Sequence, residues 1–142
     1  MEQFSSFLAG NPMLSAAWVG IFIAIIVTTI RIKMSPIKQL SPQDLTFSMN
    51  REGGVVLDIR GEKDFKNSHI IDAKHITAEK LKNNDFSALE KHKDKPIIVV
   101  CAGGITASKV ADQLLKAGFN KASLLKGGMN AWTGAGLPVV KK

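Results

Sequence analysis

A chain of 142 residues has room for one ordinary domain plus an appendage, and 45% apolar with 22% charged side chains excludes a disordered or collagen-like polymer. One cysteine excludes an internal disulfide framework and any multi-cysteine zinc or iron–sulfur site, and a lone free thiol suits a reducing compartment. The formal charge of +7 is uneven: residues 1–30 hold a single charged side chain, Glu2, while the remainder holds all 19 Lys and Arg against 11 acids.

That basic remainder suits an anionic membrane face. Nucleic acid is not an expected partner. Tyr is absent, the aromatics are not interleaved with the bases, and no zinc-finger or RNP pattern occurs. The cluster Lys91-His-Lys-Asp-Lys95 reads as a solvated loop.

Residues 11–30 are uncharged and largely apolar, with Pro12 suited to a first helical turn. At 1.5 Å per residue they span roughly 30 Å, the thickness of a bilayer core. A secretory signal is the competing reading, but the chain starts Met-Glu-Gln-Phe without a base, and Thr-Thr-Ile-Arg-Ile-Lys is a poor cleavage site. A transmembrane anchor over residues 1–33 is therefore expected, in contact with lipid through residues 11–30. Arg31, Lys33 and Lys38 follow the span and no base precedes it, so the N-terminus is expected outside and the rest in the cytoplasm.

Residues 34–40 read as a tether and the start of the domain. Ser41-Pro-Gln-Asp44 is a helix start, with Ser as N-cap and Pro at the first helical position. Val55–Asp58 is expected to be a buried strand, followed by a loop into a one-turn helix near Phe65 and a short strand near His75. Thr77 is expected to cap a turn over 78–82, and 86–92 reads as helical. Ala122–Leu125 is the last core strand, and Gly127-Gly-Met-Asn-Ala-Trp132 opens a closing helix. Strands alternating with helical segments imply an α/β domain with a parallel sheet flanked by helices.

The chemistry concentrates after the apolar run Ile97–Val100, a short buried strand. Cys101 follows it, then the loop Ala102-Gly103-Gly104-Ile105. From Thr106 the apolar residues recur at helical spacing up to Gly118. The thiol thus lies between the carboxyl end of a strand, where ligands of parallel sheets bind, and a helix N-terminus, which favours anions. Cysteines so placed can have pKa values lowered to about 3.5–7.5. The local pattern leaves two readings open: an activated nucleophile, or a small buried hydrophobe closing a strand.

The flanking residues resemble a known family. Leu57-Asp-Ile-Arg-Gly-Glu-Lys-Asp-Phe65, continuing to Ser68-His-Ile-Ile-Asp-Ala73, is similar to the first motif of rhodanese-like domains, with Ser68 in place of a glycine. The Cys101 loop, with Gly104 in position, resembles their active-site loop, and Gly127-Gly-Met-Asn-Ala-Trp132 resembles their Gly-Gly-x-x-Ala-Trp. The resemblance runs over residues 37–138, leaving 139–142 as a basic tail. With the apolar N-terminus, the whole looks like bacterial single-pass inner-membrane proteins bearing one such domain. It implies a sulfurtransferase whose cysteine takes a sulfane sulfur from a donor, holds it as a persulfide and passes it to a thiol acceptor.

Carried onto this chain, the resemblance makes Cys101 the nucleophile and persulfide carrier. The backbone N–H groups of Ala102, Gly103, Gly104, Ile105, Thr106 and Ala107 would cradle the sulfur or donor anion. Active members often carry Arg one and five residues after the cysteine; here Ala102 and Thr106 stand there. Lys109 is a candidate auxiliary cation. Asp58 and Arg60 are candidate auxiliaries that read as organisers of the loops, with Asp64 a possible partner for Arg60. Related phosphatases and arsenate reductases place Arg six residues after the cysteine, where this chain has Ala107, so that chemistry is not expected. His69 reads as structural. His69, His75 and His92 lack metal-site spacing, so neither a metal nor a cofactor is expected.

Two functions follow. One is a membrane-anchored sulfurtransferase or persulfide carrier acting through Cys101. The other is a catalytically weak module of the same fold that binds a protein or small ligand at the membrane, with a membrane protein as candidate partner.

Overall fold

The computed structural model describes residues 3, 6, 7, 10–33 and 37–142, and their side chains except those of 31–33. The expected tether at 34–36, Glu2, and the side chains of Arg31 and Lys33 lie outside the described residues. The chain divides into two compact units, Met1–Pro36 and Ile37–Lys142.

In the first unit, α1 (Pro12–Lys33) contains a 19-residue apolar stretch, Pro12–Ile30, none of which is buried by protein. It is long and apolar enough to cross a membrane. Its hydroxyls bond one turn back: Ser15 Oγ donates to Asn11 O, Thr28 Oγ1 to Ala24 O, and Thr29 Oγ1 to Ile25 O. Such pairing meets, inside the helix, the donors that hydrocarbon could not.

In the second unit, five parallel strands form one sheet in the order β1-β5-β4-β2-β3. The strands are β1 (Lys38–Leu40), β2 (Val55–Asp58), β3 (Lys74–His75), β4 (Ile97–Val100) and β5 (Ala122–Leu125). Val55 pairs with Ile97, and Ile97 with Ala122, so β4 is central and all four of its residues are buried. A strand covered on both faces has no polar side to show, hence the unbroken Ile-Ile-Val-Val.

The period of two along β4 divides the core. Ile97 and Val99 join Leu57, Leu89, Val110, Leu114 and Phe119 on one face; Ile98 and Val100 join Leu45, Val56, Ile70, Met129 and Trp132 on the other. On the first face lie α4 (Ala78–Leu81), a 3-10 helix (Ser87–His92) and α5 (Ile105–Lys116); on the second lie α2 (Pro42–Arg51) and α6 (Gly128–Gly134). The remaining helix, α3 (Glu62–Asn67), buries Phe65.

The cap of α2 forms as its residues suggest. Ser41 Oγ accepts the Asp44 N–H at 3.1 Å, and Asp44 returns a bond to the Ser41 backbone. The Ser41 hydroxyl also donates to Asp44 Oδ2 at 2.8 Å, and this bond, with that from the Ser41 backbone N–H, holds the Asp44 carboxyl below its ordinary pKa.

Three local expectations change and a fourth is refined. Residues 38–40 form an edge strand rather than tether, paired with β5; three residues, two of them exposed, carry no readable period. Thr77 sits at the N-cap of α4, yet its side chain makes no capping bond. The helix after the cysteine begins at Ile105, one residue early, because Gly104 takes the cap position at φ +93°. The segment 86–92 winds as 3-10 helix from Ser87.

Candidate active site

The central strand ends at Val100 and delivers Cys101 to the carboxyl edge of the sheet. The side chain is 5% exposed, and its Sγ accepts the Gly104 N–H at 2.9 Å. The left-handed φ of Gly104 folds the loop back onto the sulfur, a conformation open to glycine at little cost. Ile105, Thr106 and Ala107 are the first three residues of α5, whose N–H groups have no carbonyl one turn earlier within the helix.

The rear of the loop is held by α6. Met129 N–H donates to Cys101 O at 2.8 Å, and Asn130 N–H to Ala102 O at 3.1 Å. The first turn of one helix thereby binds the carbonyls of the loop that leads into another. Gly128 permits the approach: at φ +58°, a Cβ there would collide with Cys101 O and come within 2.7 Å of Ala102 O. Gly127, at φ +75°, lies against Gly104, where an added Cβ would stand 3.2 Å from Gly127 N. In the sequence the glycine pair reads as the opening of the closing helix and as part of a family-like motif; its service to the cysteine loop appears once the two segments meet.

No side chain in the loop is charged. Ala102, Gly103, Ile105 and Thr106 are exposed, Ile105 by 82%, and Ala107 is buried. Lys109, one turn into α5, is exposed and forms no ion pair or hydrogen bond among the described residues.

Asp58 and Arg60 form a buried pair. Arg60 Nη2 donates to Asp58 Oδ2 at 2.8 Å and Nε to Oδ1 at 3.1 Å, while the Arg60 backbone N–H also reaches Oδ1 at 3.0 Å. Arg60 Nη2 further donates to Ser68 O. Arg60 pairs with Asp58 and not with Asp64, because Asp58 lies two residues back on the strand end and is 1% exposed. Through Nε and Nη2 the guanidinium ties the end of β2 to the segment after α3. Between the two residues, Ile59 N–H donates to Val100 O at 3.0 Å, so this corner adjoins the residue before the cysteine.

The histidines are structural in their contacts. Phe65 is stacked between His69 at 3.9 Å and His75 at 4.4 Å. His69 Nδ1 pairs with Phe65 O and His75 Nε2 with Arg60 O, each at 2.7 Å. His92 differs: its Nδ1 is buried without a partner, and burial, with Lys74, Lys95 and Lys91 nearby, holds its pKa below the ordinary 6.5. Among the described residues no group of three His, Cys, Asp or Glu is placed to hold a metal ion. Trp132 is 4% exposed and donates Nε1–H to Pro138 O at 3.1 Å, anchoring the closing segment.

Comparison with known proteins agrees with this fold. Residues 41–135 match the family model of the rhodanese-like domain. The uncharacterized protein YibN of Escherichia coli K12 is 37% identical over 141 residues, 99% of either chain. The thiosulfate sulfurtransferase GlpE of Actinobacillus pleuropneumoniae (serotype 3, strain JL03) is 30% identical over 103 residues, 71% of this chain and 91% of its own. Among solved structures, a rhodanese-related protein from Thermoplasma volcanium superposes with a TM-score of 0.66 at 26% identity, covering 74% of this chain and 99% of that one. The rhodanese-like domain of an Anabaena protein gives 0.64 at 30% identity, covering 73% and 79%. With the parallel sheet, the cysteine loop and the glycine pair behind it in place, the chain belongs to the rhodanese-like domain family.

Proposed function

We propose that this protein is a membrane-anchored sulfurtransferase that carries sulfane sulfur as a persulfide on Cys101. The observation that supports this most is the loop itself. Its sulfur accepts the Gly104 N–H while the loop carbonyls are turned back onto Met129 and Asn130. Carbonyl oxygens would repel an anionic sulfur; N–H dipoles stabilise it without reorganising. The loop Ala102–Gly103–Gly104–Ile105–Thr106–Ala107 is the binding cradle for the sulfur and its donor. Asp58 and Arg60 act as positioning residues through the β2 corner, and Lys109 is an outlying cation.

In this reading α1 is a single-pass anchor in a bacterial inner membrane, with residues 37–138 as the catalytic domain in the cytoplasm. Partners are a sulfur donor, a thiol acceptor and membrane lipid, with a membrane protein as a further candidate. A second reading, a catalytically weak binding module, is favoured by one observation: the loop holds no guanidinium for an oxyanion donor.

Intact-mass measurement on the full chain in detergent distinguishes the two. After incubation with thiosulfate, 3-mercaptopyruvate or a cysteine desulfurase with L-cysteine, the wild type gains one sulfur atom that a thiol acceptor removes. Cys101→Ser gains none. Absence of an adduct with every donor would leave only the binding reading.

A further inference from the structure

The neutrality of the cysteine loop narrows the donor. We propose that Cys101 takes its sulfur from a persulfide, R–S–SH, in preference to thiosulfate; this rests on the sulfurtransferase reading above. None of the six residues after Cys101 is charged. The Arg60 guanidinium is bound through Nε and Nη2 to Asp58 and Ser68 O, and its side chain is 10% exposed. Cys101 is 5% exposed, and Ile105, four residues on at the start of α5, is an apolar side chain 82% exposed.

Two transfers can be compared at this site. With thiosulfate, the Cys101 thiolate attacks the outer sulfur, the donor S–S bond breaks, and sulfite leaves as a dianion. Three negative charges then share a cradle whose only positive ends are backbone N–H groups. With a persulfide, the thiolate attacks the terminal sulfur of R–S–SH, a new Sγ–S bond forms and the donor S–S bond breaks. Cys101 becomes Cys–S–SH, and the donor leaves as R–S⁻, which takes a proton from water. The donor sulfur is reduced by as much as Cys101 is oxidised, so no outside oxidant is needed. One negative charge spread over three sulfurs suits N–H dipoles without a counter-cation, and the exposed Ile105 of the same loop offers an apolar surface to the carbon frame of R.

The test uses the full chain in detergent and measures the initial rate of sulfur loading on Cys101, with Cys101→Ser as blank. The donors are thiosulfate, glutathione persulfide, and a cysteine desulfurase charged with L-cysteine, at equal donor concentration. At least one persulfide donor loads faster than thiosulfate by about tenfold or more, the scale of an uncompensated charge effect at a reacting site. The faster persulfide identifies its source as small molecule or protein. Thr106→Arg raises the thiosulfate rate relative to the persulfide rate, while Thr106→Gln, long but neutral, leaves that ratio near the wild-type value. Thiosulfate loading as fast as, or faster than, both persulfides overturns the donor assignment and leaves the sulfurtransferase reading standing. Failure of every donor to load a Cys101 that still alkylates overturns that reading, and the assignment with it.

Discussion

Cys101 depends on backbone more than on side chains. Its polar partner is the Gly104 N–H, and its burial comes from residues that strand and helix periodicity place there. His92 shows the opposite situation, a titrating ring whose surroundings disfavour charge. Burial and three lysines lower its folded pKa below 6.5. As pH falls through the ordinary histidine value, the unfolded chain therefore takes up a proton more readily than the folded one. Stability is retained above that value and declines as pH drops toward the lowered folded pKa. Urea midpoints of residues 37–142 at pH 7.5 and pH 5.5 should differ accordingly, and His92→Gln should shrink the difference. Asp44, Glu62 and Asp85, whose folded pKa values are lowered, act in the same direction but at more acidic pH. An equal pH difference in wild type and variant would refute the assignment to His92.

At the scale of elements, the decisive contact is α6 against the cysteine loop. Gly128→Ala places a Cβ against two loop carbonyls at a positive φ, and a destabilisation of about 2–4 kcal/mol is expected in urea denaturation. The same variant should load sulfur on Cys101 more slowly, because the carbonyls it displaces are those turned away from the sulfur. Gly103→Ala meets nothing within 4 Å, and its stability should stay within about 1 kcal/mol of wild type. Equal stability of the two variants would show that the α6 contact is not what holds the loop. Elements with a strong local code were legible in the chain: the buried runs of β2, β4 and β5 and the capped start of α2 lie where their patterns indicate. β1 was not legible, since its edge pairing with β5 is supplied by a segment more than eighty residues away.

For the whole molecule, α1 makes the chain's behaviour in a membrane the main prediction. The full chain should remain with membranes after alkaline carbonate extraction and dissolve only in detergent. In a Cys101→Ser background, the exposed Lys63→Cys on α3 should react with a membrane-impermeant maleimide in inverted inner-membrane vesicles and not in intact cells. Labelling in intact cells alone would reverse the proposed orientation; release by carbonate would remove the anchor.

The sequence by itself determined the class of fold, the apolar helix and the strand–cysteine–glycine–helix order, because each is written in a local pattern: a period, a cap, or twenty residues without charge. The three similar motifs also located the cysteine loop within that fold. Tertiary structure decided what those motifs do to one another. Arg60 turned to Asp58 rather than Asp64, since only the strand end offered a buried carboxylate beside it. The glycine pair of α6 became the rear wall of the cysteine loop, since parallel pairing of β4 with β5 brings the residues following each strand to the same edge of the sheet. Contacts between segments some twenty-five residues apart leave no period in the chain, and they bind the Cys101 and Ala102 carbonyls to α6 while the Gly104 N–H meets the Cys101 sulfur.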